Sequence, residues 1–531
     1  MEKISTDIYS FENLRKDGFV YVDKTDLLWR LASLQEGRQF FISRPRRFGK
    51  SLMLSTLKCL FEGRRELFRG LKVEKRRWDW RKTYPVVMLN MADVAAESPA
   101  ALHENLVDLV DGLVSEQGLK DVRRVSSPGK YLGNFFKALA AAKGEFVVLV
   151  DEYDVPLQGF LGNRTALVRV RKLMHDFYIQ LKNNEANVRF LMLTGVTKLT
   201  RLSVFSGLNH LTDLTMKEPR YASLLGYCRQ EILDNFPRRL EKMARTNGTD
   251  TAGAMKLLTA WYDSYRFSPY SSAKVFNPIS VGRSLSNGRL ASYWVSTGMA
   301  TLLMERMEAV RLTPADFEGC TATVDELDVC DAMDLPAKSL MYQSGYLTIK
   351  GLSRTETDEI GNPKLVLGAP NHEVRGAIKA GWFDHFVKIP STEFDALVDA
   401  ARNQVEAGDV DGLINETLYR IYAKIPPEWR IRSEADVKRH FRLFMEMLGA
   451  KVAAEEGSAF GYADAIIETR KFVWVFEFKF NKTANAAVRQ IREKGYADAY
   501  KGDKRPVTLV GVNFRTAKRN IDEPLFAAVR G

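Results

Sequence analysis

The chain has 531 residues, enough for two or more domains, and its balance of 45% hydrophobic and 27% charged residues is that of a soluble globular protein. The formal net charge of +12 favours a polyanionic partner, either nucleic acid or nucleotide phosphates. Four cysteines without CxxC spacing, no signal-peptide segment and no apolar run that could cross a bilayer argue against disulfide-rich, secreted and membrane proteins, so we predict a cytoplasmic protein without membrane contact.

The N-terminal part alternates between short apolar runs and helical stretches. The runs that we predict to be strands lie at residues 39–42, 85–90, 145–150 and 188–193. Parallel strands are buried on both faces and therefore read as continuous apolar runs of this kind. We predict an α/β domain with a parallel sheet and flanking helices over residues 1–215.

A phosphate-binding pattern follows the first predicted strand. It reads RPRRFGKS at residues 44–51, and a predicted helix continues over residues 52–61. A phosphate-binding loop (P-loop) needs backbone N–H groups around the phosphates, a lysine near the β- and γ-phosphates and a hydroxyl ligand for Mg²⁺. Gly49, Lys50 and Ser51 supply the last turn, the cation and the hydroxyl. The sequence therefore predicts an ATP site, with a basic surface turn as the alternative.

The same loop is rich in arginine. Arg44 stands where the standard pattern has its first glycine, and a side chain there is expected to alter the loop conformation. Arg46 and Arg47 add positive charge near the predicted phosphate position, so we include both in the ATP site.

The third predicted strand ends in two acids, as a Walker B segment does. It reads FVVLVDE at residues 146–152, which places Asp151 to hold Mg²⁺ and Glu152 to polarise the attacking water. Two such motifs, each at the end of a strand, favour ATP binding over two unrelated turns. The fourth predicted strand ends in LTGVTK at residues 193–198, where a polar residue either senses the γ-phosphate or belongs to a structural turn.

The rest of the chain divides into two parts. Residues 216–420 are predicted to be a mostly helical middle region, and residues 421–531 a small C-terminal α/β domain. In the C-terminal part we predict a helix at residues 434–448, a hairpin of strands 463–469 and 472–480, a helix at 484–501 and a strand at 507–512.

The second strand of this hairpin carries an acid and a lysine on one face. Side chains alternate across a strand, so Glu477 and Lys479 share a face and the neighbouring phenylalanines take the other. Pairing about the turn brings Asp464 beside Glu477. Two carboxylates at that range suit Mg²⁺ or Mn²⁺, and Lys479 would orient or help deprotonate the attacking water. The alternative is a buried Glu–Lys ion pair without catalytic role.

Three further residues are candidates for the same site. Glu434 on the preceding helix is a possible additional acidic contact, and Gln490 and Tyr496 on the following predicted helix are placed to line the site.

These motifs together resemble a bacterial and archaeal pairing of two domains. The N-terminal half resembles the AAA-ATPase-like family, in which the arginine-rich loop is itself typical. The segments that carry this likeness are YVDKT (21–25), FISRPRRFGKS (41–51), VDEYD (150–154), LTGVTK (193–198) and FSGLNHL (205–211). The segments of the middle region that also fit are WVSTG (294–298), YQSGYLT (342–348) and PNHEVR (370–375).

The C-terminal part resembles the PD-(D/E)XK nuclease superfamily, in the branch usually fused to this ATPase. The residues that match its motif and helix pattern are Asp464, Glu477, Lys479, Gln490 and Tyr496. The resemblance implies a restriction-endonuclease-like fold. The branch usually has Gly-Arg-x-Asp, whereas this chain has Tyr462 in place of the arginine, which leaves the acids intact and removes an expected phosphate contact.

Two functions follow as hypotheses. In the first, an ATPase controls a Mg²⁺- or Mn²⁺-dependent nuclease that cuts nucleic acid, DNA or RNA. In the second, the chain is an ATP-binding switch whose nuclease-like domain binds nucleic acid or protein without cutting it.

Overall fold

The computed structural model describes residues 2–199, 211–294, 303–305, 307, 314–328, 336–382, 384–385, 391–424, 431–447, 452–453, 457–458 and 461–528. The chain divides into two compact units. The first comprises Met1–Arg306 and Phe317–Arg375, and the second comprises Met307–Asp316 and Gly376–Gly531. The predicted boundaries near residues 215 and 420 stay predictions.

Some predicted features lie outside the described residues. They are most of the FSGLNHL segment, the VSTG part of WVSTG, and the end of the helix predicted to reach residue 448.

The first unit is built on a five-stranded sheet in which all neighbours are parallel. The strands are β1 (Gln39–Ser43), β2 (Val86–Asn90), β3 (Phe146–Asp151), β4 (Val188–Gly195) and β5 (Thr212–Asp213). Their spatial order is β2-β3-β4-β1-β5. All residues of β1 and β3 are buried, as expected for strands covered on both faces. The predicted parallel sheet with helices is thus confirmed, with β5 as a strand that the sequence did not indicate.

Helices cover this sheet and make up most of the middle region. They begin where caps are available: Ser98 and Ser127 each accept a hydrogen bond from a first-turn N–H, and each is followed by proline. The helices are α1 (Phe11–Lys16), α2 (Thr25–Ala32), α3 (Lys50–Phe61), α4 (Pro99–Glu116), α5 (Pro128–Lys143), α6 (Val155–Gln158), α7 (Arg164–Asn183), α8 (Arg229–Asn235), α9 (Pro237–Thr246), α10 (Thr251–Tyr262), α11 (Pro278–Asn287), α12 (Val324–Asp328), α13 (Ala337–Ser344) and α14 (His372–Trp382).

A small antiparallel sheet accompanies the last helices of the first unit. It consists of β6 (Thr321–Ala322), β7 (Thr348–Thr357) and β8 (Pro363–Gly368), in the order β6-β8-β7. The middle region is therefore mostly helical, as predicted, and contains in addition a sheet that was not predicted.

The second unit is an α/β domain. Its strands are β9 (Val452–Ala453), β10 (Gly457–Ser458), β11 (Gly461–Tyr462), β12 (Ala465–Glu468), β13 (Val473–Phe480), β14 (Val507–Arg515) and β15 (Asn520–Ala528). Five of them form a mixed sheet in the order β15-β14-β13-β12-β9, and β10 pairs with β11 in a separate two-stranded sheet. Its helices are α15 (Ser391–Ala407), α16 (Val410–Gly412), α17 (Tyr419–Ala423), α18 (Glu434–Met447) and α19 (Ala484–Glu493), with a π-helical segment Leu413–Leu418 between α16 and α17.

The predicted hairpin forms from β12 and β13, and helix α18 packs on β13, the central strand of the sheet. In the β12–β13 pair, Ala465 lies opposite Phe476. The Phe441 ring of α18 packs on Phe476 and Phe478, with ring centres 4.8 and 4.7 Å apart. Glu477 faces the other way, and the register of the parallel strand β14 places Gly511 beside it.

Two predictions about the C-terminal elements were wrong. The helix predicted to reach residue 501 ends at Glu493, because Gly495 adopts a left-handed φ of 60° and ends the helical path. Tyr496 therefore lies beyond this helix rather than on it. The strand predicted at residues 507–512 runs on to Arg515, and β15 follows it as an additional edge strand.

Within the part of the chain that the structure describes, no helix is long and apolar enough to cross a membrane.

Candidate functional site

The predicted phosphate-binding loop joins β1 to α3. Gly49 has a φ of 96°, directly before α3 begins at Lys50. A residue with a side chain is strained at such a φ, which accounts for the glycine. Arg47 also lies in the left-handed region, with a φ of 70°. The N–H groups in the first turn of a helix have no partner within that helix, so the start of α3 suits an anion.

The Lys50 side chain folds back over this loop. It is 6% exposed, and its ammonium donates to the carbonyls of Arg44 and Pro45 at 2.9 and 3.1 Å. Burial lowers the pKa of Lys50, and the carboxylates of Asp151 and Asp154 act in the opposite direction. A charge held away from bulk water attracts an anion more strongly than a hydrated surface lysine does.

Asp151 and Glu152 lie at the carboxyl end of β3. The Oδ1 atom of Asp151 accepts a hydrogen bond from the Thr194 hydroxyl at 2.6 Å and from the Glu152 N–H at 3.1 Å. Glu152 has a φ of 54°, uncommon for a residue with a side chain. Burial raises the pKa of Glu152, and the charge of Asp151 adds to this effect. One acid is thus fixed by hydrogen bonds, while the other has the raised proton affinity of a general base.

Asp154 fixes the segment that follows β4 by accepting hydrogen bonds from it. This fully buried carboxylate accepts the N–H and the hydroxyl of Thr197 at 2.8 and 2.7 Å. The next residue, Lys198, pairs with Asp213 at 2.5 Å. In the LTGVTK segment it is therefore Thr194 that contacts the Walker B acid, and Lys198 stabilises the local fold.

Arg44 turns into the protein interior and is 1% exposed. Its guanidinium donates to the carbonyls of Ser43 and Thr215 at 2.8 and 2.9 Å and lies 4.3 Å from the centre of the Phe267 ring. Burial lowers its pKa to about 10. Arg44 therefore packs beneath the loop and adds no charge to the outer surface of the loop.

The other loop arginines contact the middle region. Arg47 donates to the carbonyl of Tyr293, and the Trp294 indole N–H donates to the carbonyl of Arg46 at 3.2 Å. The fully buried carboxylate of Glu373 accepts the backbone N–H groups of both Tyr293 and Trp294. Glu373 thus fixes the segment that supports the loop. The roles of Arg46 and Arg47 in ATP binding stay predictions, as does that of Ser51.

Three carboxylates meet in the second unit, where α18 begins and β12 and β13 pair. One oxygen each of Glu434, Asp464 and Glu477 lies within 4.8 Å of the other two. Helix α18 begins here because Ser433 caps it by accepting the Asp436 N–H at 3.2 Å. The structure therefore brings the acids that the sequence singled out into one cluster.

The environment of Glu477 fits a divalent cation. Its carboxylate is 1% exposed, and Oε1 accepts from the Lys479 ammonium at 2.8 Å. Among the described residues, the buried Oε2 atom has no hydrogen-bond partner, an arrangement that is costly unless something else pairs it. Burial raises the pKa of Glu477 to about 7, and the charge of Asp464 adds to this effect. Oxygen ligands of this kind suit Mg²⁺ or Mn²⁺.

Lys479 is anchored inside this cluster. Its side chain is 5% exposed, and its ammonium lies 2.8 Å from Glu477 and 3.3 Å from Glu434. It also donates to the Phe478 carbonyl at 2.9 Å. Burial alone lowers the pKa of Lys479, but the contacts with Glu477 and Glu434 together outweigh burial, and the pKa is raised. The N–H of Phe478 donates to Asp464 at 2.8 Å, so the backbone of β13 orients this acid as well.

Lys438 is a fifth charged residue at this cluster, and the sequence reasoning missed it. It lies one turn after Glu434 on α18, with its Nζ 2.5 Å from Oδ1 of Asp464. The sequence did contain a signal for Lys438. This lysine follows Glu434 by four residues, a spacing that places both side chains on the same face of a helix.

Gln490 and Tyr496 contact each other. The Gln490 side-chain amide donates to the Tyr496 hydroxyl at 3.4 Å, and Tyr496 packs in a hydrophobic cluster with Val488 and Ile491. Their predicted place beside the carboxylates stays a prediction.

The chain is similar to known proteins in both parts. Residues 5–205 match the AAA-ATPase-like family, described as a predicted AAA-ATPase, and residues 432–524 match a family of the PD-(D/E)XK nuclease superfamily. An uncharacterized protein in the vnfD 5' region of Azotobacter chroococcum mcd 1 is 31% identical over 533 residues, covering 98% of each chain. The likeness predicted from the sequence is thus confirmed.

Two solved structures show a slight likeness to this chain. The Aeropyrum pernix ORC1 protein in complex with DNA is 12% identical, with a TM-score of 0.26, over 71% of this chain and 95% of that one. The Aeropyrum pernix ORC2 protein, in ADPNP and ADP complexes, is 13% identical, with a TM-score of 0.29, over 68% and 91%.

Proposed function

Since this chain belongs to the AAA-ATPase-like proteins that carry a C-terminal PD-(D/E)XK nuclease superfamily domain, we propose that it is an ATPase that controls a metal-dependent nuclease. The observation that carries the nuclease function is the cluster of Glu434, Asp464 and Glu477 around the ammonium of Lys479. The substrate is the phosphodiester backbone of nucleic acid, with which the formal charge of +12 is compatible.

In the first unit, the loop and the ends of β3 and β4 form the ATP site. Lys50 binds the terminal phosphates, and Ser51 and Asp151 hold Mg²⁺. Glu152 accepts a proton from the attacking water, for which its raised pKa is suited. Thr194 keeps Asp151 in one orientation through their short hydrogen bond. Arg46 and Arg47 add positive charge beside the phosphates.

In the second unit, Asp464 and Glu477 hold Mg²⁺ or Mn²⁺, and Glu434 is a further acidic contact. The cation, when bound, stabilises negative charge on the scissile phosphate. Lys479 positions the attacking water, because its ammonium is already fixed by two carboxylates and a carbonyl. Gln490 and Tyr496 line the same site.

A cleavage assay tests the nuclease function. Single- and double-stranded DNA and RNA are incubated with Mn²⁺ or Mg²⁺, with and without ATP. We expect the wild type to cleave nucleic acid. In Glu477→Gln and Lys479→Met, the cleavage rate should fall by about a hundredfold or more. Glu493→Gln, which changes an exposed carboxylate on α19, is the matched control and should cut normally. Cleavage by Glu477→Gln at the wild-type rate would refute the site.

ATP binding is tested separately by titration with a fluorescent ATP analogue. Lys50→Ala should lose binding, because the buried cation is removed from the loop. Lys58→Ala, which changes a half-buried lysine on the same helix, should bind like the wild type. Equal affinity in Lys50→Ala and the wild type would argue against this loop as the phosphate site.

A second candidate function is an ATP-binding switch whose nuclease-like domain binds nucleic acid or protein without cutting. The observation that favours it is Tyr462, which stands two residues before Asp464 where the resemblance to the nuclease branch implies an arginine. Retained binding of nucleic acid with no cleavage in any divalent cation would support this alternative over the nuclease.

A further inference from the structure

The two lysines at the carboxylate cluster differ in how firmly they are held. The Lys479 side chain is 5% exposed and has three acceptors. The Lys438 side chain is 38% exposed, and its main partner is Asp464, with Glu434 farther away at 3.9 Å. An ammonium at a half-exposed position can return to water at little cost, whereas a buried one cannot. Lys438 is therefore the cation that can leave.

The Lys438 ammonium pairs with Asp464, one of the carboxylates that the proposed metal site needs. Its Nζ lies 2.5 Å from Oδ1 of Asp464, in direct contact with the carboxylate. A divalent cation shared by Asp464 and Glu477 would repel an ammonium at this place. Lys438 and the cation thus compete for Asp464.

We propose that Lys438 is a phosphate-binding residue that is stored on Asp464 and released when a divalent cation binds. Its four-carbon stem is flexible, so the ammonium stays tethered beside the cluster and can bind an oxygen of the substrate phosphate. This inference rests on the proposed nuclease site.

Binding of Mn²⁺ to the full chain, followed by electron paramagnetic resonance without nucleic acid, tests the competition. Lys438→Ala should bind Mn²⁺ about two- to fivefold more tightly than the wild type, because a half-exposed ion pair no longer opposes the metal. The Mn²⁺ affinity of Lys438→Arg should stay within about twofold of the wild-type value. Lys501→Ala removes an exposed lysine that also pairs with an aspartate in this unit, and its Mn²⁺ affinity should equal that of the wild type.

The salt dependence of nucleic-acid binding tests the phosphate contact. The ligand is whichever DNA or RNA oligonucleotide the wild type binds, with Ca²⁺ in place of the catalytic metal. Lys438→Ala should bind several-fold more weakly, and the slope of log affinity against log salt should fall by about one, as for the loss of one phosphate contact. Lys438→Arg should restore both values.

The outcomes separate this inference from the proposed function. If Glu477→Gln weakens Mn²⁺ binding while Lys438→Ala leaves both Mn²⁺ affinity and the salt slope unchanged, the metal site stands and the role of Lys438 is refuted. If Glu477→Gln leaves Mn²⁺ binding unchanged, or if no oligonucleotide binds the wild type, the proposed function and this inference both fall.

Discussion

At the scale of single residues, the hydrogen bond between Thr194 and Asp151 is one of the contacts that join the ends of β3 and β4. In the proposed ATP site this bond orients Asp151, and it does not involve the loop at residues 44–51. We expect Thr194→Val to lower ATP turnover about tenfold, because Asp151 loses its orienting partner, while ATP affinity changes little. Steady-state phosphate release and nucleotide titration measure the two effects. Thr83→Val, at an exposed position of the same unit, is the control, and an equal loss of affinity and turnover in Thr194→Val would contradict the prediction.

Glu373 gives a prediction about pH. Burial raises the pKa of this carboxyl, so the folded protein holds the proton more tightly than the unfolded chain does. Its contribution to stability is therefore complete below the ordinary pKa of glutamate and is lost as the pH rises through the folded value. Glutamine cannot lose a proton and can still accept the two backbone N–H groups.

The stability of Glu373→Gln relative to the wild type should accordingly increase from pH 5 to pH 7.5. Urea unfolding at the two pH values measures it. Glu373→Ala serves as the contrasting variant and should be less stable at both, since it leaves three donors unpaired. A difference that is the same at both pH values would show that Glu373 is not the titrating group.

Sequence reasoning was successful for residues whose position follows from a short pattern. The alternation along β13 and one hairpin turn were enough to place Glu477, Lys479 and Asp464 together. It missed Lys438 and did not predict that Arg44 turns inward. The position of each side chain depends on a residue distant in sequence: Lys438 pairs with Asp464, and Arg44 packs on Phe267.

At the scale of elements, helix α19 lies against the sheet at Gly511, the neighbour of Glu477 on β14. A Cβ atom added there would lie 2.3 Å from the Ala484 carbonyl oxygen and 2.8 Å from Val488. Gly511→Ala should therefore push α19 off the strand and lower stability by about 2–3 kcal/mol. Thermal unfolding measures this.

The control for this prediction is Gly112→Ala, in the interior of α4. A Cβ atom there meets nothing within 4 Å, so alanine should be neutral or slightly stabilising through its higher helix propensity. A Gly511→Ala protein as stable as the wild type would mean that α19 can shift outward freely.

The elements that the sequence identified are those with strong hydrophobic signals. Strands β1 and β3 are largely apolar runs that are fully buried, and β13 is almost fully buried, with phenylalanines alternating with Glu477 and Lys479 in its second half. Strands β5 and β6 have two residues each, and β15 is an edge strand with mixed polar and apolar residues, so none of them carries a clear period. The early end of α19 depends on one glycine conformation rather than on a pattern.

At the scale of the whole molecule, the two candidate sites belong to different compact units. A ligand stabilises the unit that binds it, by about 2.7 kcal/mol at a concentration a hundred times its dissociation constant. We expect ATP and Mn²⁺ to protect different segments in hydrogen–deuterium exchange, the first around residues 44–51 and the second around residues 464–479.

The single-site variants provide the controls for this experiment. Lys50→Ala should lose protection by ATP and keep protection by Mn²⁺, and Glu477→Gln should do the reverse. Protection of both segments by either ligand alone, lost together in either variant, would show that the sites act as one and that two separate units are the wrong description.

The buried Arg44 restricts which paths of mutation are open to this loop. Glycine at this position would bring the loop closer to the common phosphate-binding pattern, yet it would open a cavity beside Phe267 and leave the carbonyl of Thr215 without its donor. Arg44→Gly is therefore expected to lower stability unless the residues beneath the loop change at the same time. Engineering this loop towards the standard phosphate-binding pattern would have to replace the loop together with the residues that pack beneath it.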